Sequence, residues 1–185
     1  VIRRYVAENQ HTLVEGETLR RLFEDATGEH LGWLWDQWVT GAGAPTWNVG
    51  WTWEDGTLTV QIDPTEGPVF HVPLTVEIDG HGTEELWLGD GGARVVVKTE
   101  QAPRYVAVDP RAAVIGTFET EQSDEAWTAQ LLHSPSPMAR LEAMQGLEKS
   151  DHDAGIEALA RIANGDSDSY YRSFAVQSLA TQSTE

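Results

Sequence analysis

The chain runs through two hydrophobic periods and changes between them twice. Up to about Val39 the apolar residues recur at helical spacing. After a helix-like start, "VIRRYVAENQ", the residues Leu19, Leu22, Phe23 and Ala26 fall on one stripe, and Gly28 stands where a left-handed C-cap belongs. Leu31, Leu34, Trp35 and Trp38 then follow at i, i+3, i+4 and i+7, which predicts a second helix with one wide apolar face. "GAGAP" ends it, because its glycines and Pro45 do not continue a helix.

From Thr46 the period is two. Trp47, Val49, Trp51 and Trp53 share one face of a predicted strand, "EDG" supplies a turn, and Leu58, Val60 and Ile62 alternate on the next run. Phe70, Val72, Leu74, Val76 and Ile78 continue the alternation. "DGHG" and "GDGG" read as turns, and "ARVVVK", "RYVAV" and "AAVIGTF" as the remaining strands. Roughly six or seven short strands at this spacing predict a small antiparallel β-sandwich.

After about Ser123 the spacing is helical again and a repeat emerges. "SPMARLEAMQGL" aligns with "DSYYRSFAVQSL", matching Arg140 with Arg172, Ala143 with Ala175, Gln145 with Gln177 and Leu147 with Leu179. "GIEALARIANGDSD" between them reads as a partner helix and its turn. A helix pair recurring at about 32 residues is the pattern of an α-solenoid and resembles HEAT-like repeats. The expected fold is therefore α+β and multidomain: an antiparallel β-sandwich flanked by an N-terminal helical segment and a C-terminal HEAT-like segment.

Composition narrows the function. With 30 acidic against 12 basic residues the net charge is −18, which repels phosphate backbones and anionic lipid, so neither nucleic acid nor a membrane surface is an expected partner. Lys98 and Lys149 are the only lysines, an imbalance that suggests a salt-adapted protein, with an ordinary acidic protein as the alternative. No apolar run has the length of about 18 residues that crosses a bilayer. The start at Val1 shows no leader pattern, and the chain reads as a piece of a longer one whose compartment is not legible.

Candidate chemistry is sparse. The six histidines, at positions 11, 30, 71, 81, 133 and 152, are scattered singly, and none begins an HExxH motif. "DHD" at Asp151 to Asp153 offers metal-type donors but reads more simply as a solvated turn. "GDSDSYY" lacks the glycine and distant Glu of a calcium loop, and Asp168 or Ser169 as a helix cap accounts for it. His71 points out of its strand's core face. No catalytic and no metal-binding residue is assigned.

The run from "VEGETLRRLFEDATGEHLGWLWDQWVTGAGAPTWNVGWTW" through "GPVFHVPLTVEI" to "YVAVDPRAAVIG" resembles the gluzincin zinc aminopeptidases of the aminopeptidase N type. In that family an aromatic-rich helix with a Trp and a G-x-P, here Trp38, Gly43 and Pro45, closes the catalytic domain; a β-sandwich and a HEAT-like domain follow. The resemblance implies boundaries at 1–43, 44–120 and 121–185. It also implies a non-catalytic C-terminal portion that supports or closes the cleft of a parent removing N-terminal residues from peptides. Zinc belongs to the parent, as do the peptide substrates, and the rest of the parent chain is the expected partner. The alternative is a binding scaffold of the same architecture with a degenerate catalytic centre. Trp35 and Trp38 with Trp47, Trp51 and Trp53 are the expected interdomain joint, since each such ring buries on the order of 150–250 Å²; a tryptophan-lined sugar platform is the rival reading.

The charge excess has a direct test. Salt of about 1 M shortens carboxylate repulsion to about 3 Å, so thermal melts should shift upward between low salt and about 1 M KCl. A flat or falling melting point counts against salt adaptation.

Overall fold

The computed structural model describes residues 1–182 apart from 66, 149, 151 and 167, so Asp151 of the "DHD" triplet and Ser167 of the "GDSDSYY" segment lie outside the described residues. The chain forms two compact units, Val1–Gly43 and Ala44–Glu185.

The first unit contains α1 (Ile2–Glu8), α2 (Gly16–Thr27) and α3 (Gly32–Trp35), the last passing directly into a π-helical turn at Asp36–Thr40. Glu17, in the first turn of α2, pairs with Arg20 and Arg21, and Gly28 ends the helix with φ 76°. One Glu24 oxygen accepts from Arg20 at 3.2 Å and from the Leu31 amide at 2.8 Å, tying the end of α2 to the entry of α3. The predicted second helix is corrected here. It keeps α-helical spacing for four residues only before the wider π turn, while Leu31, Leu34, Trp35 and Trp38 remain its half-buried face. Gly41 makes the exit possible, because a Cβ there would lie 2.6 Å from the Gln37 carbonyl oxygen.

The second unit begins with strands β1 (Thr46–Glu54), β2 (Thr57–Pro64), β3 (Val72–Ile78), β4 (Gly82–Leu88), β5 (Ala93–Lys98), β6 (Val106–Val108) and β7 (Thr117–Thr120). They form two sheets, ordered β5-β2-β1-β7 and β4-β3-β6. Register Glu54↔Thr57 leaves Asp55 and Gly56 as a two-residue loop, both at positive φ (48° and 74°), the geometry whose twist matches a hairpin. Leu58, Val60 and Ile62 are fully buried, and Val72, Leu74, Val76 and Ile78 nearly so, as the period-two pattern requires.

Two strand expectations are corrected. Sheet pairing is antiparallel except at one edge, where β7 runs parallel to β1 in the register Thr46↔Thr117 to Val49↔Thr120. The run "AAVIGTF" is mostly loop: Asp109 and Ala112 hold positive φ, and the Asp109 carboxylate accepts the amides of Ala113 (3.0 Å) and Val114 (2.9 Å), so those amides are withheld from a ladder.

Four helices complete the unit: α4 (Asp124–His133), α5 (Pro137–Gly146), α6 (Asp153–Gly165) and α7 (Ser169–Gln182). Ser123 and Ser136 cap α4 and α5 through their side chains, and Pro137 opens α5 where a missing N–H costs nothing. α4 packs on α5 and α6, and α7 on α5 and α6. The matched positions of the repeat have matched environments. Ala143 and Ala175 are fully buried, and Leu147 is fully buried where Leu179 packs against the same core. Two helix pairs form a packing unit; a solenoid needs about three or more repeats, so the HEAT-like description is not reached by this packing alone.

Leu147 has 0 % exposure at the centre of the helical core. Leu147→Ala should cost about 2–5 kcal/mol, read as a lowered urea midpoint with an unchanged slope. A loss below about 0.5 kcal/mol would mean that the helices do not share this core.

Candidate functional site

The tryptophans expected to form one joint lie in different surroundings. Trp47 is core: it is 1 % exposed and stacks on Phe118 with ring centroids 4.8 Å apart. Gly116 closes over it, since a Cβ there would sit 2.7 Å from the Trp47 ring and 2.9 Å from the Pro45 carbonyl oxygen. Trp51, half-buried on the same face of β1, packs against a cluster of Tyr105, Ala107, Ala126 and Ala139, and so marks the seam between strands and helices. Trp53 donates its indole N–H to the Thr99 hydroxyl at 2.9 Å. In the first unit Trp35 and Trp38 are half-buried, the Trp35 indole nitrogen lying against Gly16, and Trp33 is 40 % exposed.

The strand–helix seam holds polar residues that period counting does not reveal. Trp51 donates to the Gln122 oxygen at 3.3 Å, and Gln122 donates to the Gln130 oxygen at 2.7 Å. Gln130, fully buried, donates in turn to the Ala139 carbonyl (2.8 Å) and to Glu142 Oε2 (3.1 Å). The Thr120 hydroxyl reaches Glu142 Oε1 at 3.3 Å. Burial pushes the Glu142 carboxyl up to about 7, against which the bonds from Gln130 and Thr120 work only in part. Nearby, Glu77 on β3 is 7 % exposed and accepts from Tyr105 Oη at 2.9 Å and from Ser134 Oγ at 2.7 Å, fixing the end of α4 to the second sheet. Burial first, and Glu77 next, push the Tyr105 hydroxyl well above its ordinary value.

Three of the six histidines pair singly with acids: His71 with Asp90 at 3.0 Å, His81 with Glu84 at 2.8 Å and His152 with Glu125 at 3.4 Å. Among the described residues no group of three or more His, Cys, Asp or Glu could hold a metal ion, so zinc has no fitting donor set there. Asp168 caps α7 as expected, accepting the Tyr170 amide at 2.8 Å. Among the described residues no helix is long and apolar enough to cross a membrane.

No family model matches the chain, and no curated protein is similar to it in sequence. In fold it is similar to aminopeptidase A of Legionella pneumophila, solved in complex with aspartic acid. The TM-score is 0.75 at 12 % identity, over 98 % of this chain and 23 % of that one. The described residues thus have an α+β fold, with two sheets, seven α-helices and a π-helical turn, that is similar to part of an aminopeptidase, and the chain spans less than a quarter of that protein's length.

Glu142 makes stability depend on pH. Its folded value of about 7 lies above the ordinary 4.5, so its contribution is complete below about pH 4.5 and is lost as pH rises through about 7. Glu142→Gln should therefore match the parent near pH 4 and exceed it near pH 8 by up to about 3 kcal/mol in urea melts. Parallel pH profiles for the two proteins would show that the carboxyl is not penalised.

Proposed function

We propose that this chain is the non-catalytic C-terminal portion of a gluzincin zinc aminopeptidase of the aminopeptidase N type. In this reading residues 1–43 end the catalytic domain, 44–120 are its β-sandwich, and 121–185 begin a HEAT-like helical segment. The parent removes N-terminal residues from peptides, and this portion supports or closes its cleft. The observation that carries the reading is the extent of the fold likeness: nearly all of this chain matches about a quarter of an aminopeptidase chain. The order of helices, strands and helices supports it, as does the sequence resemblance around Trp38, Gly43 and Pro45. The reading includes Trp35, Trp38, Trp47, Trp51 and Trp53 as the joint that fastens the strands to the catalytic domain.

The chemistry assigned to the parent needs two histidines one helical turn apart, a Glu that activates the bound water, and a later Glu ligand. None of these stands in this sequence, so zinc and the attacking water are assigned to the parent's preceding residues. Elemental analysis and chromogenic aminoacyl substrates test the division of labour. The isolated chain should retain no stoichiometric zinc and release no amino acid, while the same chain extended on its N-terminal side should do both. Chelator-sensitive hydrolysis that follows the isolated chain through purification would overturn the boundary, and an extended chain that binds no zinc would overturn the peptidase reading.

A further inference from the structure

We propose that the groove bounded by β7 with its preceding loop and by helices α5 and α7 binds a small organic cation with an apolar body, an alkyl- or arylammonium, and that Glu142 is its counter-charge. The groove has a volume of about 360 Å³, within the range of small-molecule pockets, and lies wholly inside the second unit. Phe118, Leu141 and Phe174 line it as half-buried apolar surface, and Met138 and Tyr170 stand at its rim, 43 % and 60 % exposed. The rings of Tyr170 and Phe174 are tilted against each other with centroids 6.3 Å apart, presenting aromatic surface of the kind that attracts a cation.

Glu142 supplies the electrostatic argument. Each of its oxygens accepts one hydrogen bond, both from neutral side chains, whereas an ionised carboxylate accommodates about four. Among the described residues no Arg, Lys or His lies within ion-pair distance of it; Arg140, on the same helix, is engaged by Asp166 at 2.7 Å and by the face of Tyr171. The other acid lining the groove, Asp109, already has its two oxygens on the Ala113 and Val114 amides. A half-buried carboxylate without a cation carries a desolvation cost, and a ligand that brings the cation offsets it. An anion would meet two carboxylates, and a neutral apolar ligand would leave Glu142 uncompensated. The inference stands independently of the peptidase reading.

Phenethylammonium is the probe, titrated into the whole chain while the methyl NMR signals of Met138 and Leu141 are followed. Saturable shifts are expected, with no comparable shifts from phenethyl alcohol or phenylpropionate. Glu142→Gln should weaken binding by about tenfold or more, and Tyr170→Ala, at an exposed rim position, by a few-fold. Spectra of each variant without probe report whether it is folded. Equal binding of the alcohol, unchanged affinity in Glu142→Gln, or no saturable shift at about 10 mM phenethylammonium would each overturn the proposal.

Discussion

Gln130 is the residue on which the second unit's architecture turns. Helices α4 and α5 meet the strands along a line that carries an indole, two amides and a carboxyl, and every one of these groups needs a partner once water is excluded. Gln130 sits fully buried at the middle of that line. Its oxygen serves Gln122, and its nitrogen serves both the Ala139 backbone and Glu142. An apolar residue there would strand three polar groups at once, which costs far more than the loss of one hydrogen bond. The same bonds orient the Glu142 carboxyl, so the packing of strands on helices and the electrostatics of the α5–α7 groove share one physical origin.

Much of the fold was legible because faces repeat. Leu58, Val60 and Ile62 alternate in the sequence and are buried in the structure, Asp55-Gly56 forms the turn its residue types demand, and Gly28 takes the left-handed cap. The helical repeat was legible for the same reason, since Ala143 and Ala175 are small where two helices approach. What escaped was set by local competition and by distance. The π turn at Asp36–Thr40 leaves the apolar spacing intact while changing its geometry, and Asp109 draws "AAVIGTF" out of a strand with two hydrogen bonds to the backbone. Nothing in a period of two announces that β7 will pair in parallel with β1.

The candidate site was harder to see than the fold, because polar letters are read as solvent-facing. Glu77, Gln130 and Glu142 occupy positions that alternation and helical spacing assign to the outside or leave neutral, and only the packing of other elements over them buries the first two and half-buries the third. The tryptophans were conspicuous in the sequence, but their individual surroundings were not. The structure gives each strand tryptophan its own task, from core filler at Trp47 to hydrogen-bonded edge at Trp53. The order of parts, more than any single residue, carried the sequence resemblance, and the comparison with Legionella aminopeptidase A is a likeness of fold.

The parallel pairing of β7 with β1 has a consequence for how the chain acquires its structure. β1 can zip against β2 as soon as the Asp55-Gly56 hairpin closes, an early local event. Its other edge is matched only when residue 117 reaches residue 46, after both sheets' remaining strands have been made. Until then Trp47 lacks the Phe118 ring that stacks on it and the Gly116 backbone that closes over it. A nascent or partly folded chain therefore carries a bare strand edge beside a large uncovered aromatic, the pairing that invites association with another chain. Arrival of the short segment Thr117–Thr120 ends that exposure, so a strand of four residues covers both the edge and the ring.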